Sequence, residues 1–214
     1  MPDLAFEVTG AAPVLHAAQP ILALDVAIRN ARPGETIHAL TLHAQVRIEP
    51  QRRRYSAAEQ LALADLFGAP SRWEQTLKPL LWAQTSVAVP RFTGATTAQL
   101  PLPCTLDFAV GSARYAHGLD EGVIPLLVLF SGTVFHAAEG GALQIAQVPW
   151  TAEARFGLPI ASFRETLDHY FPGCAPLLLR RDVFERLHRY RALAGFTSWE
   201  QALESLLPPE AASR

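Results

Sequence analysis

From residue 40 to residue 49 the side chains alternate without a fault. Leu40, Leu42, Ala44, Val46 and Ile48 fall on one side; Thr41, His43, Gln45, Arg47 and Glu49 fall on the other. Successive strand residues point to opposite faces, so the pattern specifies a strand with one dry and one wet face. The stretch before it behaves alike, with Leu22, Leu24, Val26 and Ile28 set against Ala23, Asp25 and Ala27. Arg32, Pro33 and Gly34 lie between them and read as a turn, so the two strands are expected to pair as an antiparallel hairpin. Such strands need a core, and half of the 214 residues are hydrophobic while 18% are charged. At this length folding hides roughly 70% of the unfolded chain's surface, enough for one domain.

Other strands are expected at Leu4 to Val8, Thr85 to Val89, Cys104 to Val110 and Leu143 to Val148, with Cys104, Leu106, Phe108 and Val110 facing inward. Val123 to Phe135 is a near-continuous apolar run, the mark of a central strand covered on both faces, with Pro125 at its entrance or at a bulge. The period changes over Ser56 to Phe67 and Ser71 to Trp82. Both segments read as helices opened by capping boxes, Ser56 with Glu59 and Ser71 with Glu74. Near the end, Ile160, Phe163, Leu167 and Tyr170 form one helical stripe between Pro159 and Pro172. Val183, Phe184, Leu187 and Tyr190 form a second, closed by Gly195, and a third helix begins at Thr197. The expected class is α+β: a twisted antiparallel sheet, a helical insert over about 56–82, and C-terminal helices packed on one face. One domain is expected through residue 207, with a frayed tail over 208–214.

A formal net charge of −2 gives no field to draw the chain to nucleic acid or an anionic membrane. The longest apolar stretch, Val123 to Phe130, falls far short of the ~20 residues that span a bilayer. Met1 to Phe6 shows no secretory pattern, so a cytoplasmic protein is expected. Cys104 and Cys174 form no CxxC, and Cys104 reads as an inert core thiol. No GxSxG, GxGxxG, phosphate loop or HExxH is present, so no cofactor and no metal is expected. The enzyme alternative is a small hydrolase-like or metal-using site centred on His117, with Asp120 and Glu121 in a loop flanked by Gly118 and Gly122. A solvated loop is the plainer account of the same residues.

Aromatic placement favours binding over catalysis. Trp73, Trp82, Phe92, Trp150 and Trp199 fall at element ends or in links, where rings either staple helices to a sheet or line a groove for apolar peptide. Arg52, Arg53 and Arg54 follow a strand and suit acidic residues flanking such a segment. Arg180, Arg181, Arg186, Arg189 and Arg191 crowd the penultimate helix, a run that could dock an acidic partner or a nucleic acid, but Asp182 and Glu185 lie between them and a solvated face laced by i,i+4 pairs is the plainer reading.

Three stretches together resemble the SecB-type export chaperones. They are Asp3-Leu4-Ala5-Phe6-Glu7 with Ala12-Pro13, then Leu22-Ala23-Leu24-Asp25 with Ile37 to Val46, and finally Leu158-Pro159-Ile160-Ala161 through Phe171-Pro172, Pro176-Leu177-Leu178-Leu179 and Phe184-x-x-Leu187. The chain departs from that pattern by inserting most of Gln51 to Glu121 and by a basic C-terminal region. Along its full length, including Ile48 to Tyr55 and Phe130 to Phe135, the chain also resembles an uncharacterised bacterial family often encoded beside nickel-iron hydrogenase genes. The resemblances imply a SecB-like, chaperone-like accessory protein whose partner is a polypeptide client or a hydrogenase-related protein, able to form a homo-oligomer. The expected function is thus non-catalytic binding of polypeptide, in a groove of Trp73, Trp82, Phe92, Trp150 and Arg52 to Arg54.

Overall fold

The alternating strands form where the pattern is strongest, but they do not pair with each other. The computed structural model describes residues 2–32, 34–105, 110–137, 141–174, 177 and 179–208. Its opening strands are β1 (Leu4–Pro13), β2 (Ile21–Asn30) and β3 (Thr36–Ile48). Leu22, Leu24, Val26 and Ile28 are fully buried, and so are Leu42, Val46 and Ile48. β2 pairs with β1 rather than with β3. Two strands with one apolar face each can bury those faces by stacking in different layers instead of lying side by side, and here the chain passes from one sheet to the other between β2 and β3.

The chain continues through α1 (Ala57–Ala62), α2 (Ala64–Phe67), α3 (Trp73–Thr76), β4 (Leu80–Val89), β5 (Phe92–Thr93) and β6 (Ala95–Pro103). Then follow α4 (Gly111–His117), β7 (Val123–Ala137), β8 (Leu143–Gln147), β9 (Glu153–Pro159) and α5 (Ile160–Tyr170). Last come α6 (Arg181–Ala194) and α7 (Trp199–Glu204). The fold is α+β, with two antiparallel sheets. One has the order β1-β2-β6; the other runs β4-β3-β7-β8, with β5 on β3 and β9 on β7. Their apolar faces meet, and stacked rings of Phe6 and Phe130, 4.7 Å between centroids, join β1 to β7. At the rims β6 approaches β4 and β1 approaches β9.

The chain divides into two compact units, Met1–Pro176 and Leu177–Arg214. The first holds both sheets and α5, which rests on β1, β2 and β9. The predicted stripe on α5 is covered: Ile160, Phe163 and Leu167 are buried. Tyr170 is half-buried and donates its hydroxyl to the carbonyl of Val14 at 2.6 Å. The second unit holds α6 and α7. Among the described residues no helix is long and apolar enough to cross a membrane.

Several local expectations are corrected. The capping box at Ser56 forms, with Glu59 N–H donating to Ser56 Oγ and Ser56 N–H to Glu59 Oε2. The one at Ser71 does not: α3 starts after Arg72 with no side-chain cap. Helical character stops at Thr76, so Trp82 is a strand residue. Pro79, which has no N–H and pushes Lys78 out of the helical region, separates the two. β6 ends before Cys104, whose side chain is buried as expected. Leu106 and Phe108 lie outside the described residues, and Val110 caps α4 with its side chain exposed. β7 is central, but only one of its faces is fully buried; the other is largely half-exposed. Gly132 on β7 lies opposite Leu42 with φ +152°, and a Cβ there would stand 2.1 Å from the carbonyl oxygen of Thr41. The two backbones approach more closely here than any side chain permits.

Candidate functional site

The four rings expected to line a groove lie in different surroundings. Trp73 is buried, packed edge-on against Tyr55 and Phe67, and donates Nε1–H to the carbonyl of Gly68 at 2.9 Å. Phe92 is buried on β5 opposite Ile37. Trp82 is half-buried; its ring meets Phe163 edge-on and its Nε1–H reaches the carbonyl of Pro103. Trp73 thus packs within the insert, and Trp82 joins β4 to α5. Trp150 alone stands in water, 91% exposed, in the turn between β8 and β9.

The arginine run is similarly divided. Arg53 is the hub of a buried polar cluster. Its Nη2 lies 2.5 Å from Glu59 Oε1 and also donates to the carbonyl of Glu121, while Nη1 donates to the carbonyl of Val123. Glu59 further accepts the N–H of Asp120 at 3.0 Å. The Arg53 guanidinium also lies over the Tyr55 ring, whose hydroxyl is 2.8 Å from that of fully buried Tyr115. Burial pushes the Tyr55 phenol up to about 12 and the Tyr115 phenol higher still, so both stay protonated as hydrogen-bond donors. This cluster ties the insert to the entrance of β7. Arg52 pairs with buried Glu49 at 2.7 Å. Only Arg54 of the three lacks an ion-pair partner among the described residues.

His117 ends α4, its ring edge-on to Phe163 at 5.7 Å. Desolvation, with the Arg164 guanidinium adding to it, lowers its pKa. Asp120 and Glu121 line a shallow cleft of about 720 Å³ beside α5, together with Arg164, Glu165 and Asp168. His117 is not among the residues that line this cleft. Among the described residues no three His, Cys, Asp or Glu side chains come together to hold a metal.

What sequence reasoning missed is the edge formed by β8. β8 pairs with β7 from Thr133↔Gln147 to Ala137↔Leu143, and among the described residues no strand pairs with its other side. The N–H of Val148 donates to the carbonyl of Gly132, which places Gln144, Ala146 and Val148 in the bonding register with β7. By alternation the N–H and C=O groups of Leu143, Ile145 and Gln147 face away from the sheet. Leu143 and Ile145 are 63% and 64% exposed, and Leu143 to Trp150 carries no charge. An uncharged edge without proline or bulge is a template for another strand.

The comparisons with known proteins add a family and no activity. Residues 1–214 match the profile described as a family of unknown function, DUF6084. A comparison with curated proteins finds no match. Among solved structures, a selenomethionine-labelled β-glucosidase from Kluyveromyces marxianus is similar with 10% identity and a TM-score of 0.27. The match covers 74% of this chain and 15% of that one, and at such a score it carries no argument.

Proposed function

The chain belongs to DUF6084, a family of unknown function, and we propose that it is a non-catalytic, cytoplasmic polypeptide-binding protein that takes an extended client segment along β8. The observation that supports this reading is the free edge itself. Outward-facing backbone groups at Leu143, Ile145 and Gln147 offer a ladder to an added strand, and Leu143 and Ile145 offer apolar contact on alternate residues. Strand addition draws affinity from main-chain hydrogen bonds and specificity from alternate side chains. Trp150 follows the strand and offers a large, low-entropy contact surface at its end. The client is an uncharged segment rich in Val, Ile or Thr, because a charge beside this neutral edge would gain no partner. The resemblance to SecB-type chaperones and the hydrogenase context direct the choice of client towards an unfolded precursor or a hydrogenase subunit.

The test is isothermal calorimetry with a nine-residue peptide of alternating valine and threonine. Ile145→Pro removes an outward N–H that β7 does not use, and proline is tolerated at such edge positions. The variant is expected to keep its circular dichroism spectrum and lose peptide affinity at least tenfold, about 1.4 kcal/mol. Wild-type affinity in a folded Ile145→Pro variant sinks the reading.

A further inference from the structure

The second unit presents a surface of its own. α6 has no buried residue along its length. Its apolar side chains are only partly covered by α7: Trp199 packs against Phe184 at 5.4 Å and lies under Arg191 at 4.1 Å, and Tyr190 reaches Ser205 Oγ at 2.9 Å. What stays open is a notch of about 340 Å³ lined by Val183, Arg186, Leu187, Tyr190 and Leu206. Leu193, one turn on, is 88% exposed. No disulfide closes this unit, since both cysteines are free and lie outside it.

Charge selects the occupant. Arg180 pairs with Asp182 at 3.0 Å, but the i,i+4 pairs Asp182–Arg186 and Glu185–Arg189 do not close. Among the described residues Arg181, Arg186 and Arg189 have no ion-pair partner. Arg186, Arg189 and Tyr190, with Leu193, lie at i, i+3, i+4 and i+7, so two unpaired cations border the apolar stripe. We propose that this notch receives an acidic amphipathic helix of a partner polypeptide, seating a leucine-sized side chain between Val183 and Leu206 while its carboxylates meet Arg186 and Arg189. The helix-in-groove mode fits a stripe of this spacing. An anionic bilayer suits it less, because a concave notch selects single side chains, which a bilayer does not offer.

The experiment uses the full chain and a fluorescein-labelled, N-acetylated 14-residue peptide of leucine, alanine and glutamate, with leucines at i, i+3, i+4 and i+7. Anisotropy is expected to show saturable binding that weakens as salt rises. Affinity should fall at least tenfold in the Arg186→Glu, Arg189→Glu variant, whose two exposed sites leave the helix pair intact by circular dichroism. A lysine-for-glutamate peptide should not bind. The proposal is overturned by no binding of the acidic peptide, by equal binding to the charge-reversed variant, or by binding to phosphatidylglycerol vesicles in place of the peptide. A dimer that the same substitutions dissolve in sedimentation would assign the notch to a second copy and overturn it too. Because this surface shares no residue with β8, the Ile145→Pro variant should bind the acidic peptide as wild type does.

Discussion

Arg53 and Glu59, six residues apart, face each other across a turn with Nη2 to Oε1 at 2.5 Å and both side chains nearly shut off from water. Breaking one partner of a buried pair leaves the other charge uncompensated, a loss of about 3–5 kcal/mol. Glu59→Gln is expected to cost that much in a urea melt. Arg53→Met combined with Glu59→Gln should cost less than the sum of the two single changes. Strict additivity would show that the two groups do not act as a pair.

Gly132 and Gly141 give a matched comparison. Both sit at positive φ, but only Gly132 has a backbone oxygen where a Cβ would go. Gly141→Ala should cost about 1 kcal/mol from backbone strain alone. Gly132→Ala must also push β3 and β7 apart, adding about 1–3 kcal/mol of overpacking. Equal melting of the two variants would show that the β3–β7 ladder yields freely at this point.

The thiols should separate in kinetics. Burial pushes the Cys104 thiol up to about 12, while Cys174 is exposed. Thiolate is the reactive form, so Ellman's reagent at pH 8 should label one cysteine quickly and the second only on denaturation. Cys174→Ser should abolish the fast phase. A fast phase that survives this change would place Cys104 in reach of solvent.

His117 supplies a pH dependence of known sign. Its folded pKa lies below the ordinary 6.5, chiefly through desolvation and then through Arg164. The unfolded chain therefore takes up the proton first as pH falls. The contribution of the neutral ring is complete above pH 6.5 and is lost as pH drops from there through the lower folded value. Wild type should lose more stability than His117→Gln between pH 7.5 and 5 in paired urea melts. Identical losses would show that the ring is not desolvated.

Strand faces were legible because their cause is local. Leu22 to Ile28 and Leu40 to Ile48 announce which side is dry, and each is buried on that side. Pairing was not legible, because whether β2 lies beside β3 or across from it is settled by strands far along the chain. Trp82 was misplaced because a short apolar run fits either period, although Pro79 carried the signal that a helix had ended. α4 was missed because Ala113, Tyr115 and Ala116 lie on a short helix with no side-chain cap. The candidate edge was hidden for a different reason. Side-chain size favours burying Leu143 and Ile145, yet the structure buries Ala146 and Val148. Only the ladder with β7 decides between those two faces, and nothing in five residues encodes it.

Two short strands share one long border of β7: β9 holds residues 123–129 and β8 holds residues 133–137. The turn over residues 149–152 separates them, closed by the Ala152 N–H on the carbonyl of Pro149. β9 runs straight into α5 and is anchored by that helix's buried stripe, whereas β8 has no such anchor. The border is therefore expected to open in two independent pieces: β8 should detach without loosening β9, and amide hydrogens along that border of β7 should divide into a fast-exchanging set past Gly132 and a slow set before it.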